Sequence, residues 1–178
     1  LAKRTGPDAK EFKHVIVDPW LSPAAAKALQ SGKGEWIPLK PSTDAFFLLG
    51  MLRWMIENKA YKADFLALPN EQAAKKTGRR NWSDMTYLVR TKEPKLYLSG
   101  KDAGLGQADY VVLLNGKPTL FHEVDGPADL DAEVEIKGEK FKTVFRMLRE
   151  RAQEKTIEEC EKVCDIPVGT ISRLAKEF

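Results

Sequence analysis

HVIVDPWLSPAAAKALQSGKGEWIPLKPSTDAFF, His14–Phe47, is the stretch on which the fold turns. Its opening HVIVD is a short β-branched apolar run closed by Pro19, which cannot donate to a ladder, so it reads as a buried strand with an acid at its carboxyl end. Ser22 to Leu29 (SPAAAKAL) offers a capping serine, a proline at the first helical position and good helix formers, and SGKGE then makes a loop. Trp36–Leu39 (WIPL) is a second apolar run. A strand, a helix and a strand in that order predict two parallel neighbours joined by a right-handed crossover. Ser42, Thr43 and Asp44 bring capping oxygens to a long helix that runs through FFLLGMLRWMIEN to Asn58. Phe47, Leu48, Met51, Leu52, Met55 and Ile56 recur along it at helical spacing. Burying each is worth about 1.5–3 kcal/mol, so the stripe reads as core and places the helix inside a larger assembly.

Further along the chain, Lys62–Leu68 and Glu71–Lys76 read as short helices before the basic loop TGRRNW. From Tyr87 the texture becomes strand-like: YLVR, LYLS, DYVVLL, TLFHEV and AEVEIK are divided by turn signals at Asn115-Gly116, Asp125-Gly126 and Lys137-Gly138. From Lys142 the helical period returns in VFRMLRERAQEK, TIEECEKVC and VGTISRLAKEF. Thr156 and Glu159 form a capping box for the second of these helices, and Pro167 starts the third. The expected fold is α/β: a Rossmann-like, partly parallel sheet flanked by helices in residues 1–86, a β-hairpin-rich insertion in 87–141, and a C-terminal helical segment in 142–178 that packs on the α/β part.

The 178 residues are 43% hydrophobic and 31% charged, with 12 Gly and 10 Pro, which excludes collagen-like, low-complexity and wholly disordered classes. Lys and Arg number 29 against 26 Asp and Glu, a net charge of +3 that falls short of the strongly basic balance of a general polyanion binder. Cys160 and Cys164 lie four apart on one helix face, so they cannot form a disulfide framework. They read as buried small hydrophobes, with a redox pair or half a metal site as the alternative. His14 and His122 stand alone in strand-like segments, where a structural role fits best. The longest apolar stretch, Ala45–Leu52, is far short of the roughly 20 residues of a membrane-spanning helix. The opening LAKRTGPDAKEF has no apolar signal core and reads as if entered mid-helix, the start of a piece of something longer.

Two loops carry the chemistry. DPWLS (Asp18–Ser22) follows the first strand and PSTD (Pro41–Asp44) follows the second. In open α/β sheets, ligands bind outside the carboxyl ends of the strands, where helix N-termini also present free N–H groups. A carboxylate there can take ribose hydroxyls or accept a paired hydrogen bond from a guanine edge. The plain alternative is that Asp18 only begins a turn and Ser42, Thr43 and Asp44 only cap a helix.

VIVDPWL, IPLKPSTDA, MLRWMIEN, NWSDMTYLV, GEKFKTVFRML and TIEEC…DIPVGTISRLAKEF, in that order, resemble the molybdopterin oxidoreductases of the dimethyl sulfoxide reductase family. Within it the set is most similar to the catalytic subunits that act on tetrathionate. The resemblance implies that the two loops hold one of two molybdopterin guanine dinucleotides. Asp18, Pro19, Trp20 and Ser22 would lie on the first loop; Ser42, Thr43 and Asp44 would form the guanine end, with Asp44 holding the base. Trp20 stands where the wider family has Arg, and Ser42 where it has Gly. The resemblance also implies bis(molybdopterin guanine dinucleotide) with molybdenum or tungsten and an iron–sulfur cluster in a longer parent, none of them held by this segment alone. The family's cluster cysteines, metal ligand and C-terminal cofactor domain have no counterpart here, so catalysis is not expected of the segment itself. The implied partners are the rest of the catalytic subunit, an iron–sulfur electron-transfer subunit and a membrane anchor subunit, on the extracytoplasmic side of the cell membrane. Arg79, Arg80 and Arg90 read as a solvated basic face or as groups that attract a dianionic substrate.

Residues 156–178 also resemble a helix-turn-helix, in which Thr170, Ser172 and Arg173 would face DNA. Gly169, Cys164 and Asp165 fit that motif poorly and the charge is small, so no nucleic-acid partner is expected.

Overall fold

The computed structural model describes residues 13–178, and the N-terminal stretch read above as a helix entry lies outside the described residues. The elements, in chain order, are β1 (His14–Val17), α1 (Pro23–Gln30), β2 (Gly34–Ile37), α2 (Asp44–Glu57), α3 (Ala63–Leu66), α4 (Glu71–Lys76), β3 (Leu88–Arg90), α5 (Gly100–Ala103), β4 (Val111–Leu114), β5 (Lys117–Leu120), β6 (Glu133–Ile136), β7 (Glu139–Thr143), α6 (Val144–Gln153), α7 (Ile157–Cys164) and α8 (Thr170–Glu177). The fold is mixed α/β, with one parallel strand pair and antiparallel hairpins.

Two compact units divide the chain: residues 13–57 with 155–178, and residues 58–154. In the first, β1 and β2 pair in parallel with Val17 opposite Ile37, joined through α1 as the sequence predicts. Ser22 Oγ accepts from Ala25 N at 3.2 Å and Pro23 opens α1. At Gly34 a Cβ would stand 2.4 Å from the Ala28 carbonyl carbon, so only glycine lets α1 close against β2. The core joins Ile37, Leu39 and Phe47 to Cys160, Cys164, Ile166, Ile171 and Leu174. Helix α2 packs on α7 and α8, and Gly50 permits the close approach, since a Cβ there would meet Ile171 Cδ1 at 2.9 Å.

In the second unit, β3, β7 and β6 form an antiparallel sheet and β4 and β5 a hairpin. Asn115-Gly116 and Lys137-Gly138 turn the two hairpins with all four residues at positive φ, as two-residue loops of this kind require. Asn70 ties the short helices to the hairpins: its Oδ1 caps α4 through Ala73 N at 2.8 Å and its Nδ2 donates to the Val124 carbonyl at 2.7 Å.

Several boundaries differ from the sequence expectation. Residues 58–86 and 142–154 belong to the hairpin unit, and 155–178 to the parallel pair's unit, because packing rather than chain order sets the division. Lys142 and Thr143 lie in β7, and the helix expected there begins at Val144. LYLS makes isolated bridges at Tyr97 and Ser99 instead of a strand, and α8 begins at Thr170 rather than Pro167. Along α2, only Phe47 and Gly50 are buried; Leu48 is 57% exposed. The apolar stripe is therefore only part core within this unit.

Candidate functional site

Because β1 and β2 run parallel and in register, the loops that follow them leave from one rim of the sheet. Asp18 N still donates to the Ile37 carbonyl at 3.2 Å, and Trp36 Nε1 donates to the Asp18 carbonyl at 2.8 Å. Asp18 Oδ1 accepts from Trp20 N at 2.8 Å, the short-range bond of an Asx turn. This turn throws the Trp20 ring outward to 79% exposure. Pro19 and Trp20 then wall a cavity of about 300 Å³ whose other sides are Pro38, Leu39, Lys40, Pro41 and Asp165.

The second loop is held from beneath. Thr43 is buried and its Oγ1 donates to the Lys40 carbonyl at 2.6 Å. Its own carbonyl accepts from Phe46 N and Phe47 N at 3.0 and 3.2 Å and so starts α2. Lys40 N donates to the Cys164 carbonyl at 3.0 Å. Ser42 sits at φ 64°, in the left-handed region. Asp44 is exposed in the first turn of α2, where the helix dipole favours a carboxylate.

The structure thus brings Pro19 and Trp20 to the wall formed by Pro38–Pro41. Ser42, Thr43 and Asp44 follow directly in the chain and lie outside that lining. Ser22 and Thr43 spend their side-chain oxygens on internal bonds, while Trp20, Ser42 and Asp44 are exposed. Sequence reasoning misses Lys40 and Asp165. Asp165 ends α7 at φ 56°, and its one local signal is the DIP run at the end of a capped helix.

The other flagged residues are engaged locally. Arg79 is ion-paired with Asp64 and lies 5.7 Å from the Phe65 ring centre, and Arg90 meets Glu139 at 3.1 Å. Arg80 is exposed. His122 Nδ1 lies 2.8 Å from Asp109 Oδ2. Cys160 and Cys164 are buried, and burial pushes both thiols up. Of the residues that the helix-turn-helix reading turns towards DNA, one is not at the surface and another is engaged within the protein. Thr170 is buried, and the Arg173 guanidinium is held by Glu35 and, at 3.0 Å, by Glu177. Glu161, itself buried, accepts from Gly169 N at 2.9 Å and Ile171 N at 2.7 Å and so fixes the turn into α8.

No family model matches the chain. It is 30% identical over 181 residues to a selenate reductase subunit of Mesobacillus selenatarsenatis, a match that covers 97% of this chain and 17% of that protein. It is also 30% identical over 163 residues to a tetrathionate reductase subunit of Archaeoglobus fulgidus, covering 89% and 14%. The chain belongs to the dimethyl sulfoxide reductase family of molybdopterin oxidoreductases. The corresponding tetrathionate reductase subunit of Salmonella typhimurium is 28% identical over 182 residues, 95% of this chain and 17% of that protein. The chain therefore corresponds to one segment of a catalytic subunit of this family and spans 14–17% of the length of these relatives.

Proposed function

We propose that the segment forms part of the wall that holds a molybdopterin guanine dinucleotide, in a catalytic subunit that passes electrons to tetrathionate. The observation that carries this reading is the parallel pairing of Val17 with Ile37, which sends two acid-bearing loops from one sheet rim; Pro19, Trp20 and Pro41 of those loops line a shared cavity, and Asp18 and Asp44 lie outside its lining. The donor set fits a nucleotide. Asp44, exposed at a helix start, can accept the paired N–H groups of a guanine edge, a charge-assisted geometry that carboxylates favour. Asp18, with Oδ1 engaged by Trp20 N, keeps Oδ2 for a ribose hydroxyl. Lys40 supplies a cation beside the cavity for a phosphate, and the exposed Trp20 ring offers a flat face. Ser42 adopts the conformation that glycine would supply at that position.

A molybdenum or tungsten centre carried by the pterin would supply the redox chemistry. The residues of this chain bind and orient the nucleotide end. In the longer subunit, two electrons cleave the central S–S bond of tetrathionate and release two thiosulfate ions. An iron–sulfur cluster and an iron–sulfur partner subunit would supply those electrons, and a membrane anchor subunit would hold the assembly on the extracytoplasmic side. Two relatives carry tetrathionate in their names and a third carries selenate.

Substituting Asp44→Ala in the longer polypeptide tests the reading. Loss of a charge-assisted pair is worth about 1.5–3 kcal/mol, so pterin and metal content should fall at least tenfold under limiting cofactor. Unchanged content refutes the assignment. With a reduced dye as donor, the enzyme should turn over tetrathionate with a higher kcat/KM than selenate, and the reverse order refutes the substrate.

A further inference from the structure

The hairpin unit carries an aromatic cluster to which the nucleotide reading gives no task. The chain has four tyrosines, and three of them meet here. Tyr97 and Tyr110 have ring centres 5.3 Å apart, and Tyr87 touches both, at 6.0 Å from Tyr97 and 5.2 Å from Tyr110. Tyr87 is 7% exposed, but Tyr97 and Tyr110 open 44% and 45% of their surface to solvent. Antiparallel bridges join Val89 to Tyr97 and Ser99 to Tyr110, so backbone pairing as well as ring packing keeps the two exposed phenols adjacent. The fourth tyrosine, Tyr61, lies apart, against Phe145 at 5.2 Å.

The hydroxyls differ in what they face. That of Tyr87 donates to the Pro69 carbonyl at 2.9 Å, which cannot take up a proton at ordinary pH. That of Tyr97 donates to a carboxylate, Asp84 Oδ2, at 3.1 Å. Burial and the Asp84 charge push the Tyr97 hydroxyl above its usual range, so at neutral pH it is held as a phenol. Removing an electron from a phenol makes its O–H strongly acidic, and a carboxylate at hydrogen-bond distance receives that proton as the electron leaves. A positioned proton acceptor of this kind contributes about 10²–10⁴-fold to a rate.

We infer that Tyr97 and Tyr110 form an oxidative modification site, which one-electron oxidants of the radical class convert into an intramolecular dityrosine, with Asp84 as the proton acceptor at Tyr97. Two equivalents of oxidant each take one electron. The Tyr97 proton passes to Asp84 Oδ2 and the Tyr110 proton to water. A carbon–carbon bond then forms between one ortho carbon of each ring, and the hydrogens on those two carbons move to the phenol oxygens as both rings regain aromaticity. Two phenols thus give one biphenol, two protons and two electrons. The site consumes surface radicals and staples the segment around Tyr97 to the start of β4, and it stands independently of the nucleotide reading.

Illumination of the longer polypeptide with tris(bipyridine)ruthenium and persulfate, which generates a one-electron oxidant, tests the site. Trypsin separates Tyr97, in residues 96–101, from Tyr110, in residues 102–137. Mass spectrometry of monomeric protein should find these two peptides joined with the loss of two hydrogen atoms, together with the blue fluorescence of a dityrosine. Tyr97→Phe and Tyr110→Phe should each abolish the joined peptide, whereas Tyr61→Phe leaves its yield unchanged. Asp84→Asn, shown to be folded by circular dichroism, should slow the coupling at least tenfold; an unchanged rate overturns the role given to Asp84. Oxidation confined to the exposed Trp20 and Trp82, or cross-links found only between molecules, overturns the inference.

Discussion

The thiol of Cys164 donates to the carbonyl of Thr43 across 3.6 Å, although 121 residues separate them in the chain. With the bond from Lys40 N to the Cys164 carbonyl at 3.0 Å, it pins the end of α7 beneath the PSTD loop. The shape of the second loop is therefore set by a helix far away in sequence. Replacing Cys164 with Ala removes a weak hydrogen bond and one buried sulfur, and should lower stability by about 1 kcal/mol in urea titrations. Because burial raises both thiols, neither should react with a disulfide reagent at pH 8 until the protein is unfolded.

Ser42 at φ 64° carries a Cβ in a region that costs an ordinary residue roughly 1 kcal/mol. Ser42→Gly should keep the loop and leave cofactor content unchanged or raised. Ser42→Val, which is stiffer and fits that region less well, should lower both the melting temperature and the cofactor content. Equal behaviour of the two variants would mean that the loop's conformation is immaterial.

Glu161 is 1% exposed and serves two backbone N–H groups at the start of α8. Glu161→Leu strands both donors and should cost about 2–5 kcal/mol, whereas Glu161→Gln keeps one acceptor and should cost less. Chemical denaturation of the two variants checks the order.

Tyr87 gives the hairpin unit a pH signature. Burial, reinforced by the carboxylates of Asp84 and Asp109, pushes its hydroxyl from 10.0 up to about 12. A raised acid favours the protonated folded state, so this stability is fully present below pH 10 and drains as pH climbs towards 12. The loss is of order 2 kcal/mol. The hydroxyl also donates to the Pro69 carbonyl at 2.9 Å. Tyr87→Phe should therefore lose about 1 kcal/mol at neutral pH and show a flatter decline between pH 10 and 12. Stability curves for both proteins across that range decide it.

Local signals are legible where a short stretch of chain decides the structure. Pro19 and Pro23 bracket the first loop, Glu71–Lys76 is a helix as read, and Thr156 and Glu159 form both halves of their capping box. The two hairpin glycines, Gly116 and Gly138, sit where the turn signals put them. Features decided at a distance are not legible. The end of β7 reads as the approach to a helix because EKFKT has Phe141 as its lone large apolar residue, and its strand state comes from lying between β3 and β6. The joining of 155–178 to the parallel pair depends on Cys160, Cys164 and Ile171 meeting α2, which no local pattern encodes. At the site, the two loops are legible from their acids and their place after strands. Lys40 and Asp165 are not, since each enters the cavity wall only through the packing of α7 against the second loop.

The central claim is that Asp44 holds a guanine edge, and it is measured most directly as guanine nucleotide released per polypeptide from the purified longer subunit. Asp44→Glu keeps the charge and should retain part of the nucleotide. Asp44→Asn keeps the size but offers one acceptor in place of two, and should release at most a tenth of the wild-type amount while folding normally by circular dichroism. Wild-type nucleotide content in a folded Asp44→Asn protein would contradict the account.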